Sequence, residues 1–127
     1  MSTLKVTTIR DLSNGTAVDV PNAAKAWVNF NGTGTIAIRA SYNVTSLTDN
    51  GTGDYTVNLT NALTDTNYAV VATCGYGPSG FAANIYPFIN NIGSEVVPST
   101  SSFRFVTNNE ADSAQIDSKY VMVAVFR

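Results

Sequence analysis

The chain has 127 residues, 13% of them charged, a net charge of −2 and a pI near 4.7. That length predicts a single domain, and the aromatic content excludes a disordered chain. No cluster of Lys or Arg occurs, so the attraction that draws proteins to nucleic acids and anionic membranes is missing. The polar surface is expected to carry hydroxyls and amides, which favour contacts made by shape, stacking and neutral hydrogen bonds.

The N-terminal segment, residues 1–20, has a strand-like alternation of its own. Leu4, Val6 and Thr8 fall on one face, and Ile9 falls on the other with Lys5 and Thr7. The pattern predicts either an integral strand or an arm that pairs with another chain, as in strand addition. We interpret the segment as an anchoring and assembly element, with Leu4, Val6 and Ile9 as its contact residues. Residues 21–24 form a linker, and residues 25–127 form the body.

The beginning of the chain has no apolar signal region, and no stretch is long enough to cross a bilayer. Synthesis in a cytosol is therefore expected, and the five Asn-X-Ser/Thr triplets are read as turns and loops rather than glycosylation sites. Cys74 is the one cysteine, so an internal disulfide is impossible. Its apolar neighbours predict a small core residue.

Two hairpins are predicted in the first half of the body. Residues 25–30 alternate, with Ala26, Val28 and Phe30 inward, and Asn31-Gly32 then predicts a type I′ turn before a return strand at 35–39. A strand at 42–47 leads into a Gly-rich turn. The strand after that turn has Tyr55, Val57 and Leu59 inward.

The second half of the body also reads as strands. Residues 68–74 are apolar on both faces, as expected of a strand covered on both sides. Residues 119–127 are also apolar on both faces, which predicts a terminal strand that is either central or covered by a partner. A looser strand at 82–89 and a regular one at 102–107 lie between them. Many short strands separated by turn signals predict an all-β fold: an antiparallel β-sandwich, jelly-roll-like or meander, with an N-terminal strand-like arm.

Catalytic groups are scarce. Histidine is absent, which removes the commonest general base and nearly all zinc sites. The acids fall in turns or in one loop, and no phosphate-binding glycine motif precedes a helix. The turn at 49–54 lacks the spaced acids and closing Glu of a calcium loop. The sequence therefore predicts a non-enzymatic protein without metal or cofactor.

Aromatic residues are the remaining candidates for a ligand site. Tyr76, Phe81, Tyr86 and Phe88 lie in an irregular region rich in Gly, Pro and Asn. Their rings could stack on sugars while the amide of Asn84 binds hydroxyls. The alternative is that the same rings close the end of the core.

Two stretches carry a resemblance to a known family: residues 25–39 (KAWVNFNGTGTIAIR) and 42–59 (YNVTSLTDNGTGDYTVNL). They resemble the C-terminal domains of tail-fibre and related fibre proteins of tailed bacteriophages, notably those infecting cyanobacteria. The opening residues 2–9 are similar to the segment that precedes this domain in such proteins, and residues 117–126 are similar to its last strand. The similarity covers most of the chain but fades over 75–101.

The resemblance implies a virion component: a homotrimeric fibre or short appendage, anchored to other virion proteins by its N-terminal segment and presenting its body to a host glycan or protein. The chain departs from longer fibres because only residues 11–24 stand where those have a shaft. A second hypothesis is a decoration or adaptor protein that binds other phage proteins and no host ligand. A third is a carbohydrate-active enzyme or lysin accessory domain, which the missing catalytic groups disfavour.

Overall fold

The computed structural model describes residue 2 and residues 23–75, 83–88, 94–109 and 114–127. The described part contains eight β-strands and no helix. In chain order the strands β1 to β8 are Ala24–Asn31, Ala37–Tyr42, Val44–Gly51, Asp54–Leu59, Ala69–Gly75, Ala83–Pro87, Ser102–Asn109 and Tyr120–Phe126.

The strands form two antiparallel four-stranded sheets packed face to face. The first sheet has the order β2-β1-β8-β5, and the second has the order β3-β4-β7-β6. Strand β8 lies between β1 and β5 although it comes from the far end of the body. The predicted antiparallel β-sandwich is confirmed.

The core lies between the sheets and follows the period of two that alternating strands impose. The predicted inward residues of β1 and β4 are all buried. Phe30, Tyr55 and Phe105 form an aromatic cluster at its centre, with ring centroids 5.2 to 6.2 Å apart. Each such aromatic pair contributes about 0.5–1.5 kcal/mol beyond the burial of its surface. The cluster joins the first sheet to the second.

Both predicted hairpins form, but the first turn differs from the expected type. The connection from β1 to β2 spans residues 32–36, and its positive φ is at Gly34 rather than at Asn31 and Gly32. Asn31 instead accepts hydrogen bonds on Oδ1 from the backbone N–H and the hydroxyl of Thr33. This side-chain turn replaces the type I′ geometry, which the Asn-Gly pair alone predicted.

Asn43 forms a corner between the two sheets. The sequence predicts one strand through 42–47, but the structure interrupts it at Asn43, whose φ is +54°. Its Nδ2 donates to the carbonyls of Lys25 and Asn61, and its Oδ1 accepts from the backbone N–H of Asn61. Asn tolerates the left-handed region better than most residues, so this residue turns the chain from β2 into β3.

The two strands that read as apolar on both faces have different places. Strand β8 is central, with Val121, Val123 and Val125 buried and its other face exposed. Strand β5 lies at the edge of the sheet, and Val71 on its outer face is 60% exposed. The central place of β8 agrees with the prediction for the terminal strand, whereas β5 is not covered on both faces within the described part of the chain.

Candidate interaction surfaces

The outer side of the first sheet carries apolar side chains that are exposed to solvent. We call this surface the outer apolar face: Trp27, Tyr42, Val71, Met122, Ala124 and Phe126. Trp27 is 39% exposed and Met122 is 38% exposed. These residues are outward because their neighbours in the alternation, such as Val28 and Val123, point into the core.

Strand register aligns these side chains across the sheet. Trp27 is directly opposite Tyr42 on β2 and opposite Ala124 on β8, and Ala124 is opposite Val71 on β5. One row of four apolar residues therefore crosses all four strands. A shallow cavity of about 380 Å³ lies over the centre of the sheet, beside Trp27, Val71 and Met122. The outer apolar face is thus continuous.

A basic end borders the outer apolar face. Arg39 donates from Nη1 to the carbonyl of Phe30 and from Nη2 to the carbonyl of Lys119, each at 2.6 Å. Its guanidinium lies 4.7 Å from the centroid of the Tyr120 ring, a cation–π distance. These contacts tie the edge strand β2 to β8 across β1 and leave positive charge at this end of the sheet.

The outer side of the second sheet is polar, and its side chains bond to one another. Asn58 donates to the hydroxyls of Ser46 and Thr48 at 3.2 and 3.0 Å. Asp54 is fully buried in a bidentate pair with Arg104, at 2.7 Å for both contacts. Cross-strand pairs of this kind stabilise a sheet without any further partner. This face needs nothing from outside the chain.

A buried hydrogen-bond network closes the end of the sandwich where the hairpin turns lie. Asp117 Oδ1 accepts from the Gly53 backbone N–H at 2.7 Å and from the Tyr55 hydroxyl at 2.9 Å. Burial, followed by the hydrogen bond to Asp117, holds the pKa of Tyr55 far above its usual range. Gly53 has φ +63°, and a Cβ there would collide with the Thr107 carbonyl. The network fixes the turn before β4 against the irregular segment that precedes β8.

The predicted ligand residues are separated where the structure describes them. Tyr86 and Asn84 are exposed on β6, with Tyr86 at 42% exposure. Phe88 instead packs against the core, with its ring 6.2 Å from that of Tyr68. It has an unusual φ of +64° and is held there because its N–H donates to the carbonyl of Arg104. Tyr86 and Phe88 therefore have different surroundings although they are two residues apart.

Five further residues of the predicted sites, Tyr76, Phe81, Leu4, Val6 and Ile9, lie outside the described residues. A ligand site at residues 76–88 and an assembly role for the N-terminal segment stay predictions. The outer apolar face was not assigned as a site from the sequence. The sequence feature that could have indicated this surface is Trp27, a large aromatic residue on the outward face of β1.

A groove of about 420 Å³ lies between the edge strands β5 and β6, lined by residues of both, including Thr73, Cys74 and Tyr86. Burial raises the pKa of the Cys74 thiol, and the nearby Ser118 hydroxyl opposes that shift only in part. A thiol with a raised pKa is a poor nucleophile at neutral pH. Cys74 therefore acts as a small packing residue, partly buried against the core.

Among the described residues, no group of three or more His, Cys, Asp or Glu side chains is placed to hold a metal ion. The same part of the chain has no helix with the length and apolar character needed to cross a bilayer. Comparisons with protein-family models, curated proteins and solved structures find no match to this chain.

Proposed function

We propose that this chain is a structural module of a tailed-phage virion: a short fibre or appendage that assembles as a homotrimer and attaches the particle to the host surface. The observation that carries the proposal is the outer apolar face. The resemblance of residues 25–59 to phage fibre domains supports the location on a virion.

The size of the outer apolar face supports a protein partner. Its five large side chains leave on the order of 500 Å² of mostly apolar surface open. The largest apolar patch of a typical monomer has about this size and is often functional, and each partner in a standard interface buries about 800 Å². Docking that also covered the neighbouring strand edges would reach that area.

The chemistry of the two outer faces supports a fixed orientation in the particle. The outer apolar face would be buried between copies, while the polar side chains of the second sheet remain in water. A hydroxyl- and amide-rich surface with few charges suits neutral hydrogen bonding to a host glycan or protein. The exposed Tyr86 and Asn84 are on β6 of this second sheet.

The second candidate is a decoration or adaptor protein that uses the outer apolar face to bind a different virion protein. Its apolar character favours a protein partner over a sugar, which would need more hydrogen-bonding groups. This candidate predicts a monomer in isolation, so the oligomeric state separates the two.

Light scattering of the purified chain at micromolar concentration tests the assembly. We expect a particle of about 40 kDa, three times the chain mass of 13.4 kDa. Met122→Glu should yield folded monomers, because a carboxylate would be buried without a partner at the interface. Thr48→Glu, on the exposed outer side of the second sheet, is the matched control and should leave the trimer intact. A wild-type monomer would remove the trimer claim.

Labelling on intact phage tests the location. Gold-conjugated antibodies against the chain should decorate an appendage at a defined position, and the purified trimer should compete with phage for host cells. Decoration without competition favours the adaptor. A particle without any label contradicts both candidates.

A further inference from the structure

The edge strands of the sandwich differ in how they are protected against pairing with another chain. Edge strands expose unpaired backbone groups, and proteins blunt them with charges, prolines, bulges or short length. Strand β2 carries Arg39 and faces a register shift in β1. Strand β3 has Asp49 and two register shifts, and β6 has five residues ending in Pro87. Three of the four edges in the described structure are therefore guarded.

Strand β5 has none of these devices. Its seven residues, AVVATCG, contain no charge and no proline, and all seven pair with β8 without a register shift. The outward residues Ala69, Val71 and Thr73 are exposed. A straight, uncharged edge of this length is the kind of strand that accepts another strand.

The inward side of β5 is also incompletely covered. Val70, Ala72 and Cys74 pack against the core but stay partly exposed, whereas Val123 and Val125 on the neighbouring strand are 3% and 1% exposed. The groove of about 420 Å³ between β5 and β6 lies directly beside Ala72 and Cys74. One further strand along β5 would place its inward side chains over this groove.

We propose that the edge of β5 that none of the described strands pairs with accepts residues 3–9 of a second copy of this chain as an added strand. This inference rests on the proposed self-association, because the outer apolar face that brings copies together runs to the β5 edge at Val71. It names the segment that each copy donates and the strand that receives it. Donation from each copy to the next closes a ring of three.

The composition of the donated segment matches the edge. Alternation in residues 3–9 gives one face with Leu4 and Val6, which would cover the groove, and an opposite face with Lys5. Backbone hydrogen bonds to β5 supply affinity, and the alternate apolar side chains supply register. The charge of Lys5 would then disfavour further pairing at the new edge of the sheet, as that of Arg39 does on β2.

The donor begins close enough to reach. Ala24 at the start of β1 is opposite Phe126, and Phe126 is opposite Ala69 at the start of β5. Two strand spacings, about 10 Å, separate the two starts. Residues 10–23 can span up to about 45–50 Å when extended, which is enough to cross to a neighbouring copy.

Cross-linking between two differently tagged full-length chains tests the proposal. Both carry Cys74→Ala; one adds Thr7→Cys, on the outward face of the donated strand, and the other adds Thr73→Cys, and they are co-expressed and treated with a short bismaleimide. We expect a covalent pair containing both tags, at least tenfold more abundant than when Thr48→Cys replaces Thr73→Cys. Light scattering on the same sample reports whether the trimer is present.

The outcomes separate this inference from the proposed function. A trimer without the mixed cross-link overturns strand donation and leaves the function standing, whereas a monomer overturns the assembly itself. A single chain carrying both new cysteines provides the other arm: cross-linking only within itself would mean that residues 3–9 pair with their own β5, which also overturns the proposal.

A charge placed on β5 gives a second readout, of the β5 edge together with the adjoining outer apolar face, because Thr73 is directly opposite Met122. Thr73→Lys adds a charge to the open edge at an exposed position, and Thr48→Lys adds the same charge to the guarded β3. We expect Thr73→Lys to raise the dissociation concentration of the trimer at least tenfold while the melting midpoint of the dissociated chain is unchanged. The Thr48→Lys trimer should dissociate at the wild-type concentration. Equal behaviour of the two variants would contradict the assignment of β5.

Discussion

The outward-facing side chains of the two sheets differ in chemistry: those of the second sheet are polar and hydrogen-bonded to one another, whereas those of the first are largely apolar. On the second sheet, Asn58 and Asp54 bond to residues of neighbouring strands, so the exposed side is complete within one chain. On the first sheet, Trp27 and Val71 face outward without a comparable network. Under the proposed function, stability depends on the side chains of the second face and association on those of the first, so substitutions on the two faces should have separable effects.

The largest effect is expected at the buried ion pair of the second sheet. Arg104→Ala leaves the Asp54 carboxylate fully buried without its bidentate partner, which costs about 3–5 kcal/mol. Urea denaturation measures the change. A double variant, Asp54→Asn with Arg104→Leu, should recover part of the loss because no charge is then left buried. A loss below about 1 kcal/mol in Arg104→Ala would contradict the role of the pair.

Asn43 should give the next largest effect, because both faces depend on the corner that it forms. Asn43→Ala loses the side-chain bonds to Lys25 and Asn61 and puts a poorly suited residue at φ +54°, for a cost of about 2–4 kcal/mol. Asn43→Gly restores the φ and loses only the bonds, so thermal denaturation should place it between Ala and wild type. Equal stability of the two variants would assign the whole effect to the hydrogen bonds.

Trp27→Ser tests the outer apolar face of the first sheet. Because Trp27 points outward but is only 39% exposed, we expect its loss to lower the free energy of unfolding of the dissociated chain by about 1–2 kcal/mol, less than the loss of a core aromatic. The same variant should shift the molecule from trimer to monomer in light scattering. Phe30→Ala, three residues along the same strand but inward, should instead lose about 3–5 kcal/mol. Comparable destabilisation by both would mean that Trp27 belongs to the core.

The smallest effect is expected at an exposed ion pair. Arg127 donates to both oxygens of Asp65, and this bond, with a second from the Asn67 N–H, lowers the pKa of Asp65 to about 2. A carboxyl with a lower pKa in the folded state stabilises the fold above its unfolded pKa of about 4 and loses that contribution as the pH falls towards 2. In Asp65→Asn, the free energy of unfolding should therefore fall slightly less than in the wild type as the pH is lowered from 4 to 2. A variant identical to wild type throughout that range would show that solvent screens the pair completely.

Local pattern was enough to predict the hairpins and the inward residues. The alternation in β1 and β4 named Phe30 and Tyr55 correctly, because one buried face imposes a period of two on a strand. The same rule failed to separate β5 from β8. Both read as apolar on both sides, and only the order of pairing, which depends on residues far apart in the chain, makes one central and the other an edge.

Side-chain roles that depend on tertiary contacts could not be predicted from the sequence either. Tyr86 and Phe88 looked like members of one aromatic group, but the turn after β6 directs Phe88 against Tyr68 and leaves Tyr86 exposed. Asn43 looked like an ordinary strand residue, since its partners Lys25 and Asn61 are each 18 positions away. Such positions are determined by where strands meet.

The central place of β8 also bears on how the protein is made. A ribosome releases β1 and β5 long before β8, yet β8 is the strand that joins them in the first sheet. Until β8 is synthesised, the edges of β1 and β5 that pair with it stay unpaired. Such partly folded states are prone to aggregate in proteins whose contacts join residues far apart in the sequence. Completion of the sheet should therefore be a late step of synthesis, and the proposed assembly between copies would begin only afterwards. A nascent chain stalled before residue 120 should depend on chaperones to stay in solution.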